Sequence, residues 1–230
     1  MGIPLRIFII YAREDESFKS SLLSAFIPLR RAGKVEVFHD ALIKPGDRWE
    51  DVILDNLRKA HIIMPLVSND FFASEFIHEV EFKKAVDRYT KGETVIIPVI
   101  LKHCGWKYDP IIKTLQVLPK DGKPVVTWAF HEEAWEQILD AVHEVTEREK
   151  EKMLKDEERQ KIEAEPFFNL GVQAVDLQEK INHFSKAIEL FSGYTDAYIE
   201  RGIARDNLGQ YAEAIQDYDQ AILLNGEYTI

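Results

Sequence analysis

Cysteine is nearly absent: Cys104 is the only one in 230 residues. No disulfide can form within the chain, and a reducing cytoplasm is the expected setting. Positive charge is also in short supply, with 29 basic against 40 acidic residues and a net charge of −11. That excess repels polyanions, so neither nucleic acid nor an anionic membrane is expected as a partner. Long apolar runs are missing as well. The opening MGIPLRIFIIYARED is too short in its apolar part for a signal-peptide core or a membrane span. There is no glycine-rich phosphate loop, no HExxH and no cysteine cluster, and His39, His61, His78 and His103 show no metal-ligand spacing. No metal and no prosthetic group is expected. What is present is 46% hydrophobic and 11% aromatic content, enough for a core in one large or two small domains.

Along the first 145 residues, strand-like and helix-like patterns alternate. Leu5–Tyr11 (LRIFIIY) is β-branched and aromatic without polar alternation, as in a strand buried on both faces. Residues 18–29 carry Leu22, Leu23, Phe26 and Leu29 at helical spacing, and Gly33 stops them. The pattern continues with strand 35–38, an amphipathic helix over 47–60 with Trp49, Ile53 and Leu57, strand 61–67 (HIIMPLV), helix 74–89, strand 95–101 (VIIPVIL), a short last strand 124–127 and a closing helix over 132–147. Such alternation predicts an α/β fold with a doubly wound parallel sheet.

Residues 146–165, TEREKEKMLKDEERQKIEAE, are almost devoid of apolar side chains and read as a solvated helical linker. The rival, a coiled-coil seam, has only Met153, Leu154 and Ile162 to use. Residues 166–230 repeat internally. Ile181, Phe184, Ala187 and Ile188 recur 34 positions later as Ile215, Tyr218, Ala221 and Ile222, while Gly171 has its counterpart in Gly202, shifted by three. A period of this length in paired helices resembles the tetratricopeptide repeat (TPR). In the second copy, DAYIERGIARDNLGQYAEAIQDYDQAILLN, Gly202 and Ala221 are expected at close helix approaches, with Tyr211, Tyr218 and Ile222 filling the groove. About three repeats are usually needed to bury such faces, so either a longer array or self-association is expected. The predicted layout is 1–145, linker 146–165 and all-α repeats 166–230.

Several stretches of the first domain resemble, in order, the Toll/interleukin-1 receptor (TIR) family: IFIIYAREDE, then VFHDALIKPGDRWEDVILDNLRKAHIIMPLVSNDFFASEFIHEVEFKKA, then VIIPVILKHCGW and LQVLPKDGKPVVTW. The resemblance covers residues 4 to about 145 and implies a flavodoxin-like sheet. Members of that family are either scaffolds that self-associate or enzymes that cleave NAD between nicotinamide and ribose. The nicotinamide ring leaves as a neutral molecule, so no general acid is needed; the developing oxocarbenium ion needs one carboxylate beside it. The resemblance places that carboxylate on the helix reading SEFIHEVEFKKA, as Glu81. Family spacing puts the glutamate four residues after an aromatic, which from Phe76 lands on Val80, so Glu79 stays as the alternative. Glu75 and Glu79 are one turn apart on a solvent-facing side, whereas Ile77, Glu81 and Ala85 share an apolar stripe. Either Glu81 pairs there with Lys84 or Arg88, or it serves a ligand.

Further candidates for NAD binding sit at strand ends: Tyr11, Ala12 and Arg13 after the first strand, with Arg13 facing a phosphate or simply exposed. Phe38 and Trp49 either stack on a ring of the ligand or fill the core. Asp40 and Ser68 are expected along the same edge, and Lys44 with Pro45 and Gly46 forms a mobile loop that in the family governs assembly and access. The expected function is an NAD glycohydrolase giving ADP-ribose or a cyclic ADP-ribose, in bacterial defence signalling. It would act as a homo-oligomer through the TIR part, with a protein or peptide ligand on the repeats. The alternatives are a non-enzymatic adaptor and a protein that binds the nucleotide without cleaving it.

Overall fold

The apolar run near the start of the chain forms strand β1 (Leu5–Ile10), buried at every position but Arg6. It is followed by α1 (Glu16–Ala25), α2 (Ile27–Arg31), β2 (Val35–Phe38), α3 (Trp49–Lys59), β3 (Ile62–Val67) and α4 (Asn69–Ala73). A π-helical stretch (Ile77–Phe82) then runs into α5 (Lys83–Thr90), and the short strands β4 (Val95–Ile96) and β5 (Val99–Ile100) precede the long helix α6 (His131–Gln173). The computed structural model describes residues 4–42, 44 and 46–225, apart from the side chains of Ala41, His78 and Glu79. Pro45 of the expected loop, the side chain of the alternative Glu79 and the chain end at Ile230 lie outside the described residues. By packing the chain divides into Met1–Arg148 and Glu149–Ile230.

In the first unit every strand pairing is parallel, with β1 between β2 and β3, and β3 pairing with both β4 and β5. Parallel neighbours need crossovers, which the helices supply. The two-residue periodicity of a strand sends Ile7 and Ile9 to one face, against Leu22 of α1, Phe26 at its end, and Trp135 and Ile138 of α6. Phe8 and Ile10 go to the other, against Ile53 and Leu57 of α3 and Ala85 of α5. Helices therefore cover both faces of the sheet, the doubly wound arrangement.

Proline accounts for two departures from the expected elements. The single strand over 95–101 is split, because Pro98 has no N–H for the ladder and its carbonyl accepts instead from Leu118 N (2.8 Å). Leu118, which bridges Val99 in parallel, takes the outermost place in the sheet. Residues 124–127 do not: after Pro124, Val125–Thr127 is a 3-10 turn. The helix expected over 18–29 breaks at Phe26, ahead of Pro28, and the one over 74–89 divides into the π-helical stretch and α5.

A knot of buried charge fastens the sheet's carboxyl edge. Asp15, fully buried just after β1, accepts from Ser68 Oγ (2.5 Å) and pairs with Lys102 Nζ (2.6 Å), which also reaches Asp70 (3.1 Å). Ser68 in turn accepts from Phe71 N (3.1 Å), capping α4. One cluster thus joins the chain leaving β1, the entry to α4 and the chain leaving β5.

The second unit packs the end of α6 with α7 (Leu177–Leu190), α8 (Thr195–Asn207) and α9 (Tyr211–Asn225). Thr146 is buried in the first unit and Ala164 in the second, and the residues from 151 to 163 between them are exposed apart from Asp156. In each repeat a glycine lets an aromatic ring touch helix backbone: a Cβ on Gly171 would come 2.6 Å from Phe184, and one on Gly202 2.6 Å from Tyr218. Both inter-helix turns, 174–176 and 208–210, have the same length, so the three missing residues are lost from the end of the first helix. Tyr211 and Ile222 do not fill the groove; they are 64% and 48% exposed, on the side of α9 that no described helix covers. The second repeat is cross-tied by a buried ion cluster, with Asp217 accepting from Arg201 (2.6 and 3.0 Å) and Arg205 (2.8 Å), and Arg201 also donating to Ser185 Oγ (3.0 Å).

Two stability outcomes are expected. Asp15→Ala should destabilise the first unit by about 2–3 kcal/mol, below the upper end for a broken buried pair because Lys102, a third exposed, can rehydrate. Gly202→Ala should cost about 1–2 kcal/mol by overpacking against Tyr218, although alanine is the better helix former by about 1 kcal/mol. Urea unfolding followed by circular dichroism checks both, and a Gly202→Ala chain at least as stable as the parent would contradict the close approach.

Candidate active site at the carboxyl edge of the sheet

From β1 the chain crosses to β2 on one side and later returns to β3 on the other, which opens a crevice at the carboxyl ends of these strands. A cleft of about 660 Å³ lies there, within the size range of small-molecule sites. Its walls are Tyr11, Ala12, Arg13 and Glu14 from the turn after β1, Asp40 after β2, Trp49 and Ile53 of α3, and Asp70, Ser74, Phe76, Ile77 and Glu81 from the chain after β3.

Glu81 is 7% exposed, and among the described residues no hydrogen bond or ion pair reaches its carboxyl group. Its pKa is raised to about 8, first by burial and then by the negative charge of Asp40. Arg88, one of its two expected partners, is engaged elsewhere: it donates to the carbonyls of Leu57 (2.5 Å) and Ala60 (2.8 Å) and pairs with Glu93 (3.3 Å). Ile77 and Ala85 are buried on the same stripe as Glu81, while Glu75 is exposed. The π-helical turn explains the spacing. A π turn advances by five residues rather than four, so Phe76 and Glu81 both face the cleft despite the extra residue between them.

Across the cleft, the Tyr11 hydroxyl lies between Asp40 and Glu16, whose Oε2 is 2.8 Å away, and its single proton serves one carboxylate at a time. Burial and these two acceptors raise the Tyr11 pKa, so the phenol stays protonated. Lys19, 2% exposed, lies 4.9 Å from the Tyr11 ring centre and pairs with Glu16 (2.6 Å), holding that carboxyl below its usual range. Trp49, 52% exposed, leans on Phe76 with ring centres 4.8 Å apart, leaving indole surface open to the cleft.

Of the residues singled out in the sequence, the cleft brings together Tyr11, Ala12, Arg13, Asp40, Trp49 and Glu81. Three stand apart. Phe38 stacks on Phe8 (5.4 Å) and lines a separate groove with Arg6, Val37 and Asn56. Ser68 is fully buried and spent on Asp15 and the α4 cap. Lys44 is exposed, and its backbone N–H donates to Asp47 (3.1 Å). Asp15 and Lys102 went unnoticed because an acid in the polar run AREDES looks solvated. The one sequence signal was its place directly after a doubly buried strand, where the following helix must be tied down.

Comparison with known proteins agrees with the fold. A family model described as TIR domain matches residues 7–142, and one described as tetratricopeptide repeat matches 195–228. The chain is 36% identical over 142 residues to the uncharacterized protein y4lF of Sinorhizobium fredii (strain NBRC 101917 / NGR234). That match covers 62% of this chain and 44% of the relative, so the chain spans less than half of that protein's length. Among the described residues no helix is long and apolar enough to cross a membrane. With more than half of its length matched by the family model, on the expected doubly wound parallel sheet, the chain belongs to the TIR domain family and carries a tetratricopeptide repeat behind it.

Proposed function

We propose that the protein is an NAD glycohydrolase. The reading rests chiefly on one observation: Glu81 presents a buried carboxyl group, without a partner among the described residues, to a cleft that is also lined by aromatic, aliphatic and acidic side chains and by Arg13. A folded protein keeps such a group only where something else makes use of it. In the reaction the bond between ribose C1′ and the nicotinamide nitrogen breaks, and its electron pair neutralises the ring. The carboxylate of Glu81 stabilises the positive charge left on the ribose, and water adds at C1′ to give ADP-ribose; capture by the adenine gives a cyclic product instead. Trp49 offers a face for a flat ring and Arg13 a fork for the diphosphate. NAD is the substrate, and no prosthetic group takes part.

The rest of the proposal concerns context. Activity depends on homo-oligomerisation through the TIR unit, in a cytoplasmic defence-signalling protein. The repeats, with 4 basic against 10 acidic residues over 166–230, take a basic protein or peptide segment. The adaptor reading finds its support in the same unit, where Ile215 and Leu223 of α9 are 59% and 72% exposed.

Nicotinamide release from NAD by the purified protein at high concentration tests the enzyme reading. Glu81→Ala should lose about 10²–10³-fold in kcat while staying folded. A fully active Glu81→Ala, or a parent inactive at every concentration, would remove Glu81 or the enzyme from consideration. Because the ionised carboxyl is the active form, kcat/KM should rise with pH through about 8. The kcat limb should lie lower, since the cationic ring favours the carboxylate.

Stability should move the opposite way. A pKa raised in the folded state means that the fold binds the extra proton, so this contribution is present below the ordinary carboxylate range and lost as pH rises through about 8. Glu81→Gln should therefore be more stable than the parent at pH ~9, by on the order of 5 kcal/mol, and nearly equal at pH ~4. Thermal unfolding at the two pH values reads the difference, and a constant gap would sink it.

A further inference from the structure

Charge in the cleft is one-sided. Glu14, Asp40 and Asp70 line it beside Glu81, whose carboxyl is largely protonated near neutral pH until a cation arrives, against Arg13 alone among the cationic side chains of the described residues. Three neighbouring cations do not redress the balance, because each is matched by its own acids. Lys102 is shared between Asp15 (2.6 Å) and Asp70 (3.1 Å), Lys19 is held by Glu16 (2.6 Å), and Arg48 pairs with Asp51 (3.0 Å).

We propose that the cleft selects among pyridine dinucleotides by charge: it takes NAD, with its cationic ring, over NADP and NADH, and Glu14 is the determinant against NADP. The inference rests on the reading of the cleft as an NAD site. All three ligands carry a diphosphate, which occupies the single guanidinium of Arg13. The further phosphate of NADP then finds no cation among the described lining residues, whereas NADP sites ordinarily supply an arginine for it. Placed among carboxylates in a partly desolvated crevice, it is repelled more strongly than in bulk water. NADH keeps the diphosphate but has lost the ring's positive charge, the one part of the ligand that the acids at Asp40 and Glu81 attract. Glu14 is exposed on the turn Arg13–Asp15, so its side chain can be changed without entering the core.

The test compares kcat/KM for nicotinamide release from NAD and from NADP, at low and high salt, in the parent, Glu14→Gln and Glu14→Lys. The parent should favour NAD by about tenfold or more, and Glu14→Lys should narrow the ratio about tenfold, chiefly through KM for NADP. Glu14→Gln should fall between, and salt should narrow the parent's ratio by screening. Equal use of both dinucleotides by the parent, or a ratio that Glu14→Lys does not move, overturns the selectivity while leaving the glycohydrolase intact. If neither dinucleotide is cleaved, the enzyme reading falls, and selectivity is then read from quenching of tryptophan emission during titration with NAD, NADH and NADP. Tighter binding of NAD supports it; equal or absent binding overturns it.

Discussion

Asp15 is the constraint on which the cleft depends. Its carboxylate is fully buried, and a buried charge without compensation costs several kcal/mol, so the fold must deliver a cation and a hydroxyl to one point. Lys102 and Ser68 arrive there from opposite sides of β3's carboxyl end, the first beyond β5 and the second at the start of α4. Meeting that requirement fixes three chain crossings at once. The turn after β1, which carries Arg13 and Glu14, therefore projects from a clamped base rather than from a free loop. Tyr11 is fixed beside it by Lys19, Glu16 and Asp40.

The opposite wall is shaped by helix geometry. An α-helix running through residues 76–82 would place Phe76 and Glu81 on diverging sides, because five residues overshoot a 3.6-residue turn. The π-helical stretch absorbs the surplus residue and restores a common face. It does so where the helix also buries Ile77 and Phe82 against the sheet, so the local widening is held by apolar packing. Geometry that is unfavourable by helix rules is sustained by the core beneath it.

Much of this was legible in the sequence. The doubly buried run Leu5–Ile10, the helical spacing of Leu22 and Phe26, and the stripe of Ile77, Glu81 and Ala85 follow from periodicity alone, and the 34-residue period anticipates the match of Gly202 with Tyr218. Several misreadings share a cause, a partner distant in sequence. Whether 95–101 is one strand turns on where Pro98 sends its carbonyl, and the answer, Leu118, is a loop residue with no strand pattern of its own. Ser68 looks like a cleft residue until Asp15 is seen to claim it. Phe38 sits at the right edge by position, but its ring is held against Phe8. The π turn has no recognisable code in IHEVEF, and it decided the helix phase.

Three acids are buried among the described residues, and comparing them separates structure from chemistry. Asp15 has a lysine and a serine; Asp217 has two arginines, one of them also tied to Ser185. In both, compensation is complete enough that the charge acts as a joint between elements, fixing register more than adding net stability. Glu81 is nearly as buried and, among the described residues, has none of the partners. Its nearest electrostatic influence, Asp40, has the wrong sign, and its pKa rises as it must when a carboxyl is buried without a counter-charge. The fold can supply counter-charges to buried acids, and does so at the other two sites. Leaving Glu81 without a counter-charge among the described residues, beside an open cleft, keeps the cost of ionising it in the ligand-free protein, where a bound proton relieves it until an incoming positive charge takes that part.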